Sequence, residues 1–259
     1  MSIHKTEALV LKTFDFRETS LIVTFYTKEF GKIQGLLKGI RLKPDKFAST
    51  LEPFSHNEIV FYRKRNTDLH LVTACDLKNN FLSLRNDMYR FGHASYMMEL
   101  LNALTAIEDK NDAIFNLAMD CLLEMDINTY YERIPTIYKI KALALSGFQP
   151  HLNSCVACED RIISQSKFSS SLGGLLCPKC FKRDIKATWI FRGTIATILY
   201  IERNDLMSNL RLGVNPQVKR ELDCLLNSFI EFHLEKKFKS QRVMPYLEET
   251  LECLGVKGV

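Results

Sequence analysis

The chain has 259 residues, of which 46% are hydrophobic and 25% charged, proportions that exclude a fibrous or a disordered protein. Its formal net charge is only +5, but residues 1–80 carry 13 Lys and Arg against 9 Asp and Glu, residues 81–150 carry 6 against 9, and residues 151–259 carry 16 against 12. Two basic segments around an acidic one favour a polyanion contacted from both ends, and ordinary variation of surface charge explains the pattern equally well.

The N-terminal sequence is not expected to be a secretory signal, because no apolar run follows a basic start. The most apolar long stretch, residues 88–107, carries Arg90, His93 and Glu99, which argues against a membrane span. We therefore expect a cytoplasmic protein whose cysteines are reduced thiols or metal ligands.

Residues 1–80 read as short strands. Apolar, β-branched or alternating runs occupy residues 8–11, 21–26, 32–37, 58–62 and 69–72. Turn-forming residues separate several of these runs. Five strands in this length favour a small barrel such as the OB-fold, although periodicity alone does not separate it from an SH3-like barrel.

Helical periodicity begins near Asn79 and predicts an amphipathic first helix with apolar positions at Phe81, Leu82, Leu84, Met88, Phe91 and Met98. Further helices are expected from Asn111, over residues 134–146, near residues 193–207, from Asn215 and over residues 244–254. The expected fold class is α+β, with an OB-fold DNA-binding domain (1–80), a helical domain (81–150 and 186–259) and a zinc-binding segment (151–185).

The cysteines of residues 151–185 form the strongest local signal. Cys155, Cys158, Cys177 and Cys180 give the pattern C-x2-C-x18-C-x2-C, which is the spacing of a four-thiolate zinc site. An iron–sulfur cluster or a redox pair is the alternative, and His151 is a further candidate ligand. Four thiolates leave no position for water, so the zinc is expected to be structural rather than catalytic. The other four cysteines, Cys75, Cys121, Cys224 and Cys253, are expected to be buried thiols.

Basic residues cluster within the expected barrel. The candidate DNA contacts are Lys28, Lys32, Lys38, Arg41, Lys43 and Lys46 in one stretch, and Arg63, Lys64 and Arg65 in another. Phe14, Phe16, Tyr26 and Tyr62 are candidates for base stacking, although barrel core is the more common role of any one such residue. Near the C-terminus, Lys239 and Arg242 lie beyond the expected helix end and can serve DNA or a partner's acidic tail. Solvated turns are the alternative for each basic cluster.

Motifs for nucleotide hydrolysis are absent from the sequence. There is no Walker A sequence, no serine-nucleophile elbow and no grouping of carboxylates and histidine typical of a metal nuclease. We therefore assign no catalytic residue and no nucleotide cofactor, and a zinc enzyme remains only the least favoured hypothesis.

Several stretches, taken in order, resemble the bacterial RecO family of recombination mediators. They are residues 7–11, 17–23, 30–33, 38–41, 51–54, 145–150 and 239–240. The resemblance covers nearly the whole chain, and the ordered set is more specific than any one piece. One departure is Lys43-Pro44-Asp45-Lys46, where the family's loop is usually richer in arginine, so that DNA affinity is expected to be weaker.

This resemblance implies a nucleoid-associated bacterial protein that takes part in RecF-pathway repair. It implies binding of single-stranded and double-stranded DNA and annealing of complementary strands without ATP. It further implies work beside RecR, contact with the C-terminal tail of the single-strand-binding protein, and help in loading recombinase. Some family members lack the cysteines, which supports a metal that stabilises the fold rather than one that takes part in catalysis. The alternative is a zinc-stabilised scaffold that binds proteins rather than DNA.

Overall fold

The chain divides into two compact units, one of Met1–Tyr131 with Phe238–Val259 and one of Glu132–Lys237. A computed structural model describes residues 2–42, 51–63, 67–163 and 165–240. Within these ranges, no helix has both the length and the apolar character needed to cross a membrane. The expected domain bounds stay a prediction.

Five strands form a closed barrel at the start of the first unit, paired in the order β1-β2-β3-β5-β4 with β4 returning to β1. Only β3 and β5 pair in parallel. This order distinguishes the OB-fold from the SH3-like alternative, so the five-stranded fold class is confirmed. The strands are β1 (Ser2–Phe16), β2 (Ser20–Thr27), β3 (Gly31–Leu37), β4 (His56–Arg63) and β5 (Leu69–Asn79).

The barrel is filled by alternate side chains of its strands, as the period of a strand requires. Phe25, Ile33, Ile59 and Phe61 are at most 1% exposed and belong to one core cluster. At Gly35 an added Cβ would lie 2.6 Å from Cγ2 of Val72, so only glycine fits between the strand and this core.

Three helices complete the described part of the first unit: α1 (Leu82–Asn86), α2 (Met88–Leu104) and α3 (Asp112–Ile127). The prediction of one continuous helix from Asn79 is wrong. Asp87 is extended, and its carboxylate accepts hydrogen bonds from the N–H groups of Tyr89 and Arg90, so a new helix begins there. Consequently three residues of the expected apolar face are exposed, namely Leu82, Met88 and Phe91.

Helix α3 begins where its sequence predicted. The side chain of Asn111 accepts a hydrogen bond from the N–H of Ile114 at 3.1 Å and caps the helix. Its expected apolar face is buried: Ile114, Leu117, Cys121, Leu122 and Met125. Cys75 in strand β5 is buried as well, in agreement with its assignment as a core thiol.

The second unit combines helices with a small sheet ordered β7-β6-β8. Asn215 caps α7 as predicted, and helices occur around residues 193–207 as expected, where Asp205 caps the second of two. The elements are α4 (Ile134–Leu145), β6 (Ser166–Ser169), β7 (Gly174–Leu176), a 3-10 helix (Pro178–Arg183), β8 (Thr188–Ile190), α5 (Arg192–Arg203), α6 (Leu206–Leu210) and α7 (Pro216–Leu234).

One cysteine prediction fails in α7. Leu222, Leu225 and Leu226 are buried, but Cys224 lies on the other side of the helix and is exposed. The apolar run around Cys224 suggested burial, whereas the helical period turns this position to solvent. Cys253 and the helix expected over residues 244–254 lie outside the described residues.

Candidate nucleic-acid interface and metal centre

The candidate cations of the barrel fall at two opposite ends of its strands. Leu21 pairs with Leu37, so the exit of β3 with Lys38 and Arg41 lies beside the turn between β1 and β2. Lys28 and Lys32 lie at the other end of β2, which is eight residues or about 26 Å long. A single cluster in the sequence is thus two separate groups in the fold.

We call the first group the tip surface: Lys12, Phe14, Phe16, Arg17, Lys38 and Arg41. The backbone N–H of Arg41 donates to the carbonyl of Thr19 at 3.2 Å, which joins the loop after β3 to the turn between β1 and β2. The guanidinium of Arg41 forms an ion pair with Asp15 beside that turn. Lys38 is exposed.

Two cations of the tip surface were missed by the sequence analysis. The Nζ atom of Lys12 lies 4.0 Å from the ring centroid of Phe14, and Cζ of Arg17 lies 5.2 Å from that of Phe16. Phe14 is 45% exposed. A search for runs of cations overlooks these residues because they stand singly, but Lys12, Phe14 and Phe16 recur at every second position of β1, and this spacing was a usable signal.

Two of the cations at the opposite end, Lys32 and Arg63, are engaged within the first unit, and Lys28 is half-buried. The ammonium of Lys32 donates to the carbonyl oxygens of Asn102, at 2.8 Å, and Thr105, where α2 ends. Because the last carbonyls of a helix lack partners and carry partial negative charge, this lysine stabilises the end of α2. The N–H of Glu108 also donates to the carbonyl of Lys32 at 2.8 Å.

Arg63 pairs with the carboxylate of Glu108 at 2.6 Å, and Nε2 of His70 lies 3.3 Å from the other oxygen of that carboxylate. The hydrogen bond from Arg63 is the main reason that the pKa of Glu108 is below its usual value. The charge of Arg63 is therefore partly neutralised within the unit.

The remaining candidates can be placed only in part. Lys43, Lys46, Lys64, Arg65 and Arg242 lie outside the described residues. Lys239 is exposed between two residues that contact α2: the ring of Phe238 lies 5.5 Å from that of Tyr96, and the hydroxyl of Ser240 donates to Glu99 at 3.0 Å.

Among the aromatic candidates, Tyr26 is buried outside the barrel core, with its ring centroid 6.4 Å from that of Phe115 in α3. It is 0% exposed, and its hydroxyl donates to the carbonyl of Asn111 at 3.4 Å. Phe16 and Tyr62 are half-buried. Phe14 therefore has the most accessible ring of the four candidates for stacking.

The four paired cysteines come together in the second unit. The Sγ atoms of Cys155, Cys158, Cys177 and Cys180 all lie within 4.8 Å of one another, and those of Cys158 and Cys177 are 3.7 Å apart. Tetrahedral zinc with bonds of about 2.3 Å places its thiolates about 3.8 Å apart. The cluster can therefore hold a metal ion of this kind.

Backbone hydrogen bonds shape the two Cys-x-x-Cys turns, Cys155–Cys158 and Cys177–Cys180, which we call the knuckles. The N–H of Glu159 donates to the carbonyl of Cys155, and that of Cys180 to the carbonyl of Cys177, both at 2.8 Å. The N–H of Cys177 also points at Sγ of Cys155, at 3.4 Å. Burial alone would raise the pKa of Cys155, but N–H groups including that of Cys177 lower it to about 6. Despite hydrogen bonds that act in the opposite direction, burial and the neighbouring thiols raise the pKa of Cys158 to about 12 and also raise that of Cys180. The site therefore favours thiolate, the form that binds metal, at Cys155.

The polar loop between the knuckles has more structure of its own than its composition suggested. Strands β6 and β7 form a hairpin, and the carboxylate of Asp184 accepts hydrogen bonds from Ser169 at 2.6 Å and Ser171 at 2.9 Å. Leu176 and Ala187 pack with the cysteines in a small apolar cluster. His151 is not part of the thiol cluster, and its Nε2 lies 2.7 Å from the hydroxyl of Ser154.

An OB barrel, a helical body and a four-cysteine segment in one chain define a class of multi-unit OB-fold proteins with a candidate metal site. Residues 1–81 match the family model described as Recombination protein O N terminal, and residues 85–242 match the one described as Recombination protein O C terminal.

Curated relatives agree with these matches. The chain is 32% identical to the DNA repair protein RecO of Syntrophus aciditrophicus, over 95% of this chain and 96% of the relative. It is 31% identical to the protein of that name from Alkaliphilus metalliredigens, over 90% and 94%. The chain belongs to the RecO family, and the names of the family models and of these relatives indicate a role in DNA repair and recombination.

Proposed function

We propose that this chain is a DNA-binding mediator of RecF-pathway recombination that binds single-stranded and double-stranded DNA. In this proposal it anneals complementary single strands without ATP and, with RecR, helps to load recombinase onto DNA coated with single-strand-binding protein. The observation that carries the proposal is the tip surface, an exposed group of cations and aromatic rings on an OB barrel in a chain of the RecO family.

The physical basis of annealing is charge neutralisation. Two complementary strands repel one another, and cations that contact their phosphates lower this repulsion and release counterions. On the tip surface, Lys38 and Arg41 supply charge, and Phe14 supplies a ring on which a base can stack. At the opposite end, we propose that Lys32 and Arg63 contribute less, because hydrogen bonds already engage them within the unit.

Strand annealing and DNA affinity across a salt series test this proposal. For Lys38→Gln/Arg41→Gln we expect affinity to fall by about tenfold and the slope of log affinity against log salt to decrease by about 2. The control is Lys5→Gln/Lys78→Gln, which removes the same charge from two residues beside Glu58. Equal losses in both variants would contradict a defined site at the tip.

The thiol cluster supports a non-catalytic role in this proposal. We propose that it binds structural zinc, because four thiolates complete the tetrahedral shell and leave no position for a substrate or water. Metal analysis of the purified protein tests this assignment, with one zinc per chain as the expected result. Bound iron with the absorption of a cluster would contradict it.

The proposal of protein partners rests on family membership alone. We propose RecR and the acidic C-terminal tail of single-strand-binding protein as partners, with Lys239 and Arg242 as candidate contacts for the tail or for DNA. Binding of a fluorescent tail peptide to the wild-type chain and to Lys239→Gln tests the exposed lysine. Unchanged affinity would remove Lys239 from this role.

A protein-binding scaffold is the second candidate function. It is favoured by the ion pairs that Arg41 and Arg63 form within the barrel unit, since these contacts compete with phosphates. The salt series separates the two functions, because a scaffold predicts that DNA affinity is negligible even at low salt.

A further inference from the structure

A second surface with the chemistry of a single-strand site lies in the second unit, along the edge strand β8. Two cavities of about 590 Å³ each adjoin there and share Ser166 and Arg192 in their walls. Trp189 and Phe191 line one cavity and Arg161 lines the other. We call this continuous depression the β8 trough.

The tryptophan of the trough is exposed yet held in place. Trp189 is 57% exposed, and the ring of Phe181 meets it edge-on with centroids 5.2 Å apart. Its cross-strand neighbour is Lys167, whose Nζ lies 5.0 Å from the indole centroid. An indole fixed in this way loses little side-chain freedom when a flat ligand stacks on it.

The charged side chains that line the trough are all positive. Arg161 and Arg192 are its ionisable lining residues, and no carboxylate lines either cavity in the part of the chain that the structure describes. On the other side of Trp189, by contrast, a cavity of about 990 Å³ is lined by three carboxylates (Asp184, Glu221 and Glu231) and two cations (Lys186 and Arg220). A polyanion is therefore favoured more along the trough than in the neighbouring cavity.

The start of α5 is fixed by Glu221, which positions the arginine. Both carboxylate oxygens of Glu221 lie 3.2 Å from the N–H of Phe191, and one of them accepts the hydroxyl of Thr194. Arg192 is the first residue of α5, next to this anchored backbone. The backbone from which the Arg192 side chain extends is therefore held in place at the trough wall.

From this arrangement we infer that the β8 trough is a second nucleic-acid site, which binds single strands by stacking bases on Trp189 while Arg192 and Arg161 contact phosphates. Bases in a duplex are already stacked on one another, so an exposed indole selects unpaired ones. The trough is in a different unit from the tip surface and does not depend on it.

The chain's only tryptophan is the one in the trough, so intrinsic fluorescence reports this site alone. The experiment titrates the full chain with oligothymidylate and oligouridylate of about eight nucleotides, within the site size of small single-strand binders. We expect quenching by at least one of them, and their relative affinities show which sugar is preferred. No fluorescence change at concentrations that saturate a labelled oligonucleotide would overturn the inference, as would a response to an acidic peptide alone.

Charge variants assign the quenching to the trough. Arg192→Glu is expected to weaken quenching by about tenfold or more, because it reverses a phosphate contact. The matched control is Arg220→Glu, whose arginine lines the cavity that contains the carboxylates, and its quenching is expected to match the wild type. Equal effects of both variants would overturn the assignment.

The role of Trp189 in stacking is tested in a variant whose tip surface binds DNA less tightly. In a Lys38→Gln/Arg41→Gln background, Trp189→Ala is expected to lower the affinity for a labelled oligonucleotide by about 5- to 100-fold, whereas Trp189→Phe retains most of it. Phe232→Ala, another exposed aromatic residue, is the control. Metal content and circular dichroism verify folding. Failure of annealing with intact quenching would count against the proposed function and leave the trough standing.

Discussion

The barrel and the cysteine segment hold their shapes by different means. The barrel closes its hydrogen bonds around a continuous apolar core in which Phe25 and Phe61 are fully buried. The cysteine segment, taken here as residues 151–190, has three short strands, and its thiols pack with little more than Leu176, Ala187 and a few partly buried neighbours. Small cores of this kind depend on metals or other cross-links, whereas a barrel does not. Substitutions of a metal-binding cysteine and of Asp184 therefore test the cysteine segment, and substitutions of a core phenylalanine and of His56 test the barrel.

The largest effect is expected from loss of a thiolate. Cys177→Ser should abolish tight metal binding, which contributes an apparent ~10–16 kcal/mol in structural zinc sites. Hydrogen exchange should then increase in residues 151–190 while the barrel stays protected. Cys224→Ser is the control, because this exposed cysteine is outside the cluster. Retention of stoichiometric metal in Cys177→Ser would contradict the role of this thiolate as a ligand.

A core truncation should have the next largest effect, and in the barrel alone. Phe25→Ala removes a fully buried ring and should lower the free energy of unfolding by about 3–5 kcal/mol. Denaturant unfolding measures this loss, and metal content should not change. Phe14→Ala, at an exposed position of the same barrel, should stay within about 0.5 kcal/mol. A comparable loss in both variants would show that burial does not govern barrel stability.

A smaller effect is expected from the carboxylate that joins the β6–β7 hairpin to the chain beyond the second knuckle. Asp184→Ala leaves the hydroxyls of Ser169 and Ser171 without their acceptor and should cost about 1–3 kcal/mol of local stability. Exchange of the hairpin amides measures this cost. Lys186→Ala keeps the backbone donor to Asp184 and should have no comparable effect. Unchanged exchange in Asp184→Ala would leave the metal as the main stabiliser of the hairpin.

The smallest effect concerns the pH dependence of the barrel. Burial lowers the pKa of His56 below 6.5, despite the Glu7 carboxylate 3.3 Å away. The folded state thus binds this proton less readily than the unfolded state. Stability from neutral His56 is present above about pH 6.5 and is lost as pH falls towards the folded pKa. His56→Gln should flatten the decline of the unfolding midpoint in this window. An identical decline in the variant would exclude His56 as its source.

Local signals were enough to predict much of the fold from the sequence. Asn111 and Asn215 begin helices because their side chains cap free N–H groups, and the Cys-x-x-Cys spacing brings thiols together through short knuckles. Asp87 was missed because the apolar pattern continues across it. Its carboxylate starts a second helix even so.

Surfaces were harder to predict because they depend on register and tertiary contacts. Lys32 and Lys38 look equivalent in the sequence, yet one contacts the end of α2 and the other is exposed at the tip. Arg161 and Arg192 are 31 positions apart and meet only in the folded second unit. No run of charge or periodicity identifies such a pair.

The two ends of strand β3 differ in how closely other parts of the chain approach the backbone. At Gly31 an added Cβ would lie 2.2 Å from the carbonyl oxygen of Asp109, and the next residue is bound to the end of α2. At the exit, an added Cβ at Gly39 would meet nothing within 4 Å. The exposed Lys38 beside it can therefore change in charge without a packing cost, whereas the φ of +70° at Gly39 and the burial of Ile40 in the barrel core fix the backbone there. An insertion at the entry would separate strand from helix.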